Sequence, residues 1–226
     1  MHIPDGALSP QTFGAAYAVM VPIWVIAGRR VQRTLTARTA PLLAIGAAFS
    51  FLVMMFNVPI PFGSTGHAVG AVLIALLLGP WAAVLAVSVV LAVQAFLFGD
   101  GGILALGANC LTMAFIMPMV GYGAYWLVAR RTTPGSRRSI FAAGLAGYVG
   151  LNVAALATAV FFGLQPLIAH APEGRPLYFP YGLVPSIIAM SGEHLLVFGF
   201  VEAAVTAFAY GYVARTEPTL FARGGP

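Results

Sequence analysis

A chain of 226 residues that is 60% hydrophobic and 8% charged, with a mean hydropathy of +0.93, does not have the composition of a soluble domain, which sits nearer ~45–50% apolar and ~25% charged. All eleven basic residues are Arg, and the net charge of +5 would suggest nucleic acid in a soluble protein. Here the long apolar runs leave no room for a soluble domain, so the chain reads as an integral membrane protein without a nucleic-acid partner. The single cysteine, Cys110, sits in an apolar stretch as a core residue and excludes an internal disulfide.

The chain begins Met1-His2-Ile3-Pro4-Asp5-Gly6. A free α-amine, the amide nitrogen of residue 2 and the His2 imidazole can bind one divalent ion together. The amine and amide close a five-membered ring, and the amide and Nδ1 close a six-membered one. The start lacks a basic n-region, and the first apolar run meets Arg29-Arg30 instead of a small-residue cleavage site, so no cleaved leader is expected. His2 is too large to license removal of Met1. Pro4 favours an extended Ile3, Asp5-Gly6 is a turn signal, and Ser9-Pro10 reads as an N-cap with Pro at the first helical position. Residues 1–9 are thus expected to form a non-helical hook before a helix that starts near residue 10.

Apolar stretches follow at roughly 11–28, 40–57, 67–79, 81–98, 104–128, 139–164 and 183–213. The third and fourth are parted only by Gly79-Pro80-Trp81, so they form either one kinked helix or two helices joined by a tight turn. Arginine decides between them, because cytoplasmic loops collect it. With seven spans and the N-terminus outside, Arg29, Arg30, Arg33, Arg38, Arg130, Arg131, Arg137, Arg138, Arg215 and Arg223 all face the cytoplasm, and Arg175 alone does not. The expected fold is all-α, with residues 1–216 as one transmembrane domain and 217–226 as a cytoplasmic tail. The short third segment, starting at His67, is expected to begin deep in the bilayer, as binding-site segments do.

His2 and His67 then lie on one side of the membrane, and His67 can supply a fourth nitrogen. A planar nitrogen set favours Ni(II) or Cu(II), with Co(II) compatible, and the lack of thiolates argues against structural zinc. On the residues alone, a solvated terminal His2 and an interfacial His67 remain open readings. Polar residues inside spans are expensive and often functional; Gln94, Asn109, Asn152, Glu193, His194 and Glu202 are the examples here. Glu202 follows His194 by eight residues on one helix face, which suits a packing hydrogen bond or a proton relay. Asp100 reads as an outer turn residue, His170 as a solvated loop residue, and the methionines as core filler. No Walker A motif is present. A hydrolase built on Ser64, His67 or His194 lacks a paired nucleophile and base, and a passive cation channel lacks an acidic ring.

The opening Met1–Pro10, then Phe62-Gly63-Ser64-Thr65-Gly66-His67, Leu78–Ala83, Gln94–Gly102, Gly107-Ala108-Asn109 and the last span with His194, Glu202 and Thr206, resemble the CbiM/NikM family. These are the substrate-binding membrane subunits of cobalt and nickel energy-coupling factor (ECF) transporters, and this chain looks most like the cobalt subunit. Ala7 and Cys110 are modest departures. The resemblance implies a seven-helix, non-enzymatic subunit of the plasma membrane, with a core of six helices plus an N-terminal one. It implies metal held by the Met1 amine, the His2 amide and imidazole, and His67. Asp5, Asn57, Ser64 and Asn109 would orient these ligands, and Gln94, His194 and Glu202 would be structural or coupling groups. No permanent cofactor is implied. The implied partners are a transmembrane coupling subunit, cytoplasmic ATPases and a small accessory membrane subunit, often beside cobalamin biosynthesis.

Overall fold

The computed structural model describes residues 1–34, 36–37, 39–60 and 64–220. Arg38, Phe62, Gly63, Arg223 and the last six residues of the expected tail lie outside the described residues.

The first helix, α1 (Pro10–Thr34), starts where Ser9-Pro10 places it. The Ser9 carbonyl accepts the N–H groups of Thr12 and Phe13 at 3.0 Å each. Next come α2 (Thr39–Met55) and a short antiparallel pair, β1 (Val58–Ile60) and β2 (Ser64–Gly66), in which Pro59 faces Thr65. They are followed by α3 (Ala71–Leu78), α4 (Pro80–Phe98), α5 (Leu106–Ala129), α6 (Arg137–Ile168, with a turn at Leu164) and α7 (Leu183–Thr216). Among the described residues α1, α4, α5, α6 and α7 are long and apolar enough to cross a membrane. At 17 residues α2 is slightly short of the ~20 a bilayer asks for, and eight-residue α3 rises only about 12 Å.

The run from 67 to 98 forms two helices, not one kinked one. Gly79 has φ 92°, ψ 153°, and Pro80 opens α4, at a position where its missing N–H is no loss. The expectation that helix starts at His67 is corrected: residues 67–70 are non-helical and α3 begins at Ala71. Gly70 takes φ +75°, a conformation that glycine adopts with little penalty and that ends the extended segment. Hydrophobicity runs straight through this point and does not reveal it.

Packing around α6 rests on small residues. A Cβ on Gly150 would sit 2.8 Å from the Met117 carbonyl of α5, and one on Gly147 would sit 2.9 Å from Thr206 Oγ1 of α7. Helices approach this closely only where side chains are absent. Turns of π-helix begin at Gln94, Cys110 and His194, a feature that often marks functional segments. Against this bundle the hook is a plug: Met1 and Ile3 are fully buried, and Ala7, Leu8 and His2 nearly so.

Candidate metal centre

A buried, non-helical segment needs partners for its backbone polar groups, and those the hook finds lie far away in sequence. Asn109 grips Ile3 on both sides, its Oδ1 accepting the Ile3 N–H at 2.8 Å and its Nδ2 donating to the Ile3 carbonyl at 3.1 Å. The Gly102 N–H donates to the same carbonyl at 2.8 Å. Ser64 Oγ donates to the His2 carbonyl at 3.1 Å, so this hydroxyl holds the hook and is not set against a histidine base. Asp5 accepts from Ile103, Leu104 and Ala105 N–H groups, the shortest at 2.8 Å. It anchors the hook to the 99–105 turn. Gln165 accepts the Ser9 N–H at 2.8 Å, and Phe179 N–H donates to the Ala7 carbonyl at 3.2 Å.

This seating brings the Met1 amine against Thr65, donating to its carbonyl and, at 3.2 Å, to its Oγ1. The His2 and His67 rings stack at 4.6 Å with 22° between planes. His67 Nδ1 pairs with the Ala68 carbonyl at 3.0 Å, and Nε2, buried, has no partner among the described residues. His2 Nδ1 lies 3.1 Å from Asp100 Oδ1 but is not aligned for a hydrogen bond, and neither ring nitrogen has a hydrogen-bond partner among the described residues. The His2 amide likewise finds no acceptor among the described residues. Such groups are expensive to bury. No cluster of three His, Cys, Asp or Glu residues occurs among the described residues. The nitrogens that this seating brings into one neighbourhood are the Met1 amine, the His2 amide and the His2 and His67 imidazoles.

Asp100, read from sequence as a turn residue, faces His2, and its Oδ2 accepts from Asn57 Nδ2 at 3.1 Å. The missed signal was its position directly after α4, in a Gly-rich turn against which the hook closes: a Cβ on Gly101 would sit 3.2 Å from the His2 ring. Gln94 is fully buried, and neither of its amide atoms has a partner among the described residues. His194 Nδ1 donates to the Met190 carbonyl at 2.7 Å, and its Nε2 has no partner among the described residues. Glu202 reaches the non-helical segment after His67, accepting the Val69 N–H at 2.7 Å. His170 is exposed, and Met54, Met113 and Met117 are core filler.

Burial pushes the Met1 amine down to about 4, partly opposed by the negative charges of Asp100 and Glu193, so the seated amine is neutral near pH 7. Burial also lowers His2, with Asp100 opposing. Burial alone would raise Asp100, but the contact with His2 and the nearby amine hold its carboxyl below the usual range. Neutral amine and imidazole are the forms that bind metal.

Comparison with known proteins places the chain in a family. Residues 2–220 match the family described as the cobalt uptake substrate-specific transmembrane region. The fused nickel transport protein NikMN of Rhodobacter capsulatus is 52% identical over 222 residues, covering 98% of this chain. The chain spans 64% of that protein's length. The cobalt transport protein CbiM of Acetohalobium arabaticum is 36% identical over 138 residues, covering 59% of this chain and 55% of that protein. A crystal structure of a truncated transition metal transporter is 51% identical and superposes with a TM-score of 0.90, covering 95% of this chain and 99% of the other. The chain is therefore a multi-pass membrane protein that belongs to the cobalt uptake substrate-specific transmembrane region family.

Proposed function

We propose that the chain is the substrate-specificity subunit of an ATP-driven ECF importer, capturing Ni²⁺ or Co²⁺ outside and delivering it inward. The observation that carries this reading is the buried stacking of the His2 and His67 rings at 4.6 Å beside the buried Met1 amine, with His67 Nε2 unpartnered among the described residues. In this reading, which takes Met1 as the mature terminus, the amine, the deprotonated His2 amide, His2 Nδ1 and His67 Nε2 bind the ion. His2 Nδ1 cannot serve Asp100 and a metal together, so that contact is exchanged for the bond to metal. A planar four-nitrogen set favours Ni(II). The nickel-named relative, at 52% identity, is also nearer than the cobalt-named one, at 36%.

Seven spans with the N-terminus outside fit the arginines. Arg30 lies 4.9 Å from the Trp81 ring and Arg130 4.8 Å from the Trp126 ring, the amphipathic pairing suited to a headgroup boundary. A subunit without a phosphate-binding loop needs partners for ATP hydrolysis: a transmembrane coupling subunit, cytoplasmic ATPases and a small accessory membrane subunit. The test is metal analysis of protein purified from nickel- or cobalt-supplemented cells, wild type beside His2→Ala and His67→Ala. The expected result is about one metal per chain in the wild type and none retained in either variant; equal retention in all three contradicts the reading.

A further inference from the structure

Resting on His67 as the fourth metal ligand, we infer that Glu202 is a positioning residue through which α7 sets the place of that ligand. Glu202 and Thr206 are fully buried on α7. The Glu202 carboxylate accepts the Val69 N–H at 2.7 Å through Oε2 and the Gly70 N–H at 3.0 and 3.1 Å through its two oxygens. Thr206 Oγ1 donates to Oε1 at 3.4 Å. On the other side of the same peptide unit, Ser50 Oγ of α2 donates to the Val69 carbonyl at 2.7 Å. The segment His67–Gly70 is therefore clamped between α2 and α7, two residues from the imidazole.

The carboxylate also sits at the N-terminus of α3, where free N–H groups and the helix dipole favour an anion. Its hydrogen bonds end on backbone, so they fix where the chain runs and not merely how two side chains pack. His67 Nδ1 is tied to the Ala68 carbonyl at 3.0 Å. Backbone position and ring orientation are thus set together. A shift of α7 would draw the imidazole with it, while the other three nitrogens stay with the hook, which is anchored by Asn109 and Asp5.

The test is titration of the full purified chain in detergent with Ni²⁺ alone, following affinity and the visible d–d spectrum. Glu202→Gln keeps the size but sets an NH₂ donor where the carboxylate accepted. It should bind Ni²⁺ roughly 10–100-fold more weakly and lose the planar four-nitrogen band in favour of a three-nitrogen, water-completed spectrum. Thr206→Ala, which removes only the longest contact, should lose less. Glu202→Gln that is less heat-stable but has wild-type affinity and spectrum overturns the inference. Should Glu202→Gln fail to fold, Ser50→Ala decides, because it loosens the same peptide from the other side. A weaker affinity with an altered band supports the clamp, and an unchanged titration overturns it. A wild type without the four-nitrogen band overturns the metal-centre reading itself and this inference with it.

Discussion

The hook end of the molecule and the seam where α6 meets α5 and α7 are both buried, but they are held by opposite means. At the seam, glycine removes side chains so that helices touch backbone to backbone, as Gly150 does against the Met117 carbonyl. At the hook, polar side chains reach across the fold to satisfy isolated backbone groups, as Asn109 does for Ile3. The seam tolerates no added volume, whereas the hook tolerates no lost partner. Stability and metal binding should therefore separate under mutation, with hook changes weakening metal binding and seam changes weakening the fold.

The largest effect that breaks this division is expected at Gly66, where both constraints meet. A Cβ there would run into the Phe198 ring and lie 2.9 Å from Glu193 Oε2, one residue before His67. Gly66→Ala should lower nickel affinity by more than roughly 100-fold, beyond the usual range for a group that only supports a ligand, read by titration of purified protein. Asn109→Ala comes next. It strands the Ile3 N–H, a loss of about 1–3 kcal/mol, and weakens the carbonyl's pairing. Nickel affinity should fall roughly 10–100-fold, with a melting temperature that becomes much less responsive to added metal.

Gly150→Ala is the counterpart at the seam. It should destabilise by about 1–3 kcal/mol through overpacking, while the folded fraction titrates with nickel as the wild type does. A Gly150→Ala protein that melts normally but binds poorly would erase the distinction between the two regions. The smallest effect is in pH. The Met1 amine falls from 8.0 when free to about 4 when seated, so the seated hook binds fewer protons than the released one. Its stability should rise as pH rises from about 4 to 8 and level off above. Protection of the Ile3 amide from hydrogen exchange, corrected for intrinsic rate, reads this directly.

Local signals made the hook legible. Pro4, Asp5-Gly6 and Ser9-Pro10 each act on their own backbone, and α1 begins as they dictate. The pairing of His2 with His67 was reachable through topology, since arginine asymmetry puts both on one face. The contacts that hold the centre were not legible. Asp100 facing His2, Asn109 bracketing Ile3 and Glu202 capping Gly70 join residues about 100 or more positions apart, and nothing in the neighbourhood of either partner encodes them. The start of α3 was misplaced for a different reason. Apolar content says that a segment is buried, but it does not say that Gly70 must turn left-handed before helix can begin.

The central claim is that the backbone amine of Met1, and not its side chain, binds metal. The direct measurement adds a single Ala before Met1, with intact mass confirming that it is retained, and compares nickel binding and the visible spectrum with wild type. The added residue should abolish tight binding and the planar four-nitrogen band, while Met1→Leu with its initiating amine intact keeps both. An extended protein that binds nickel with wild-type affinity and spectrum would contradict it.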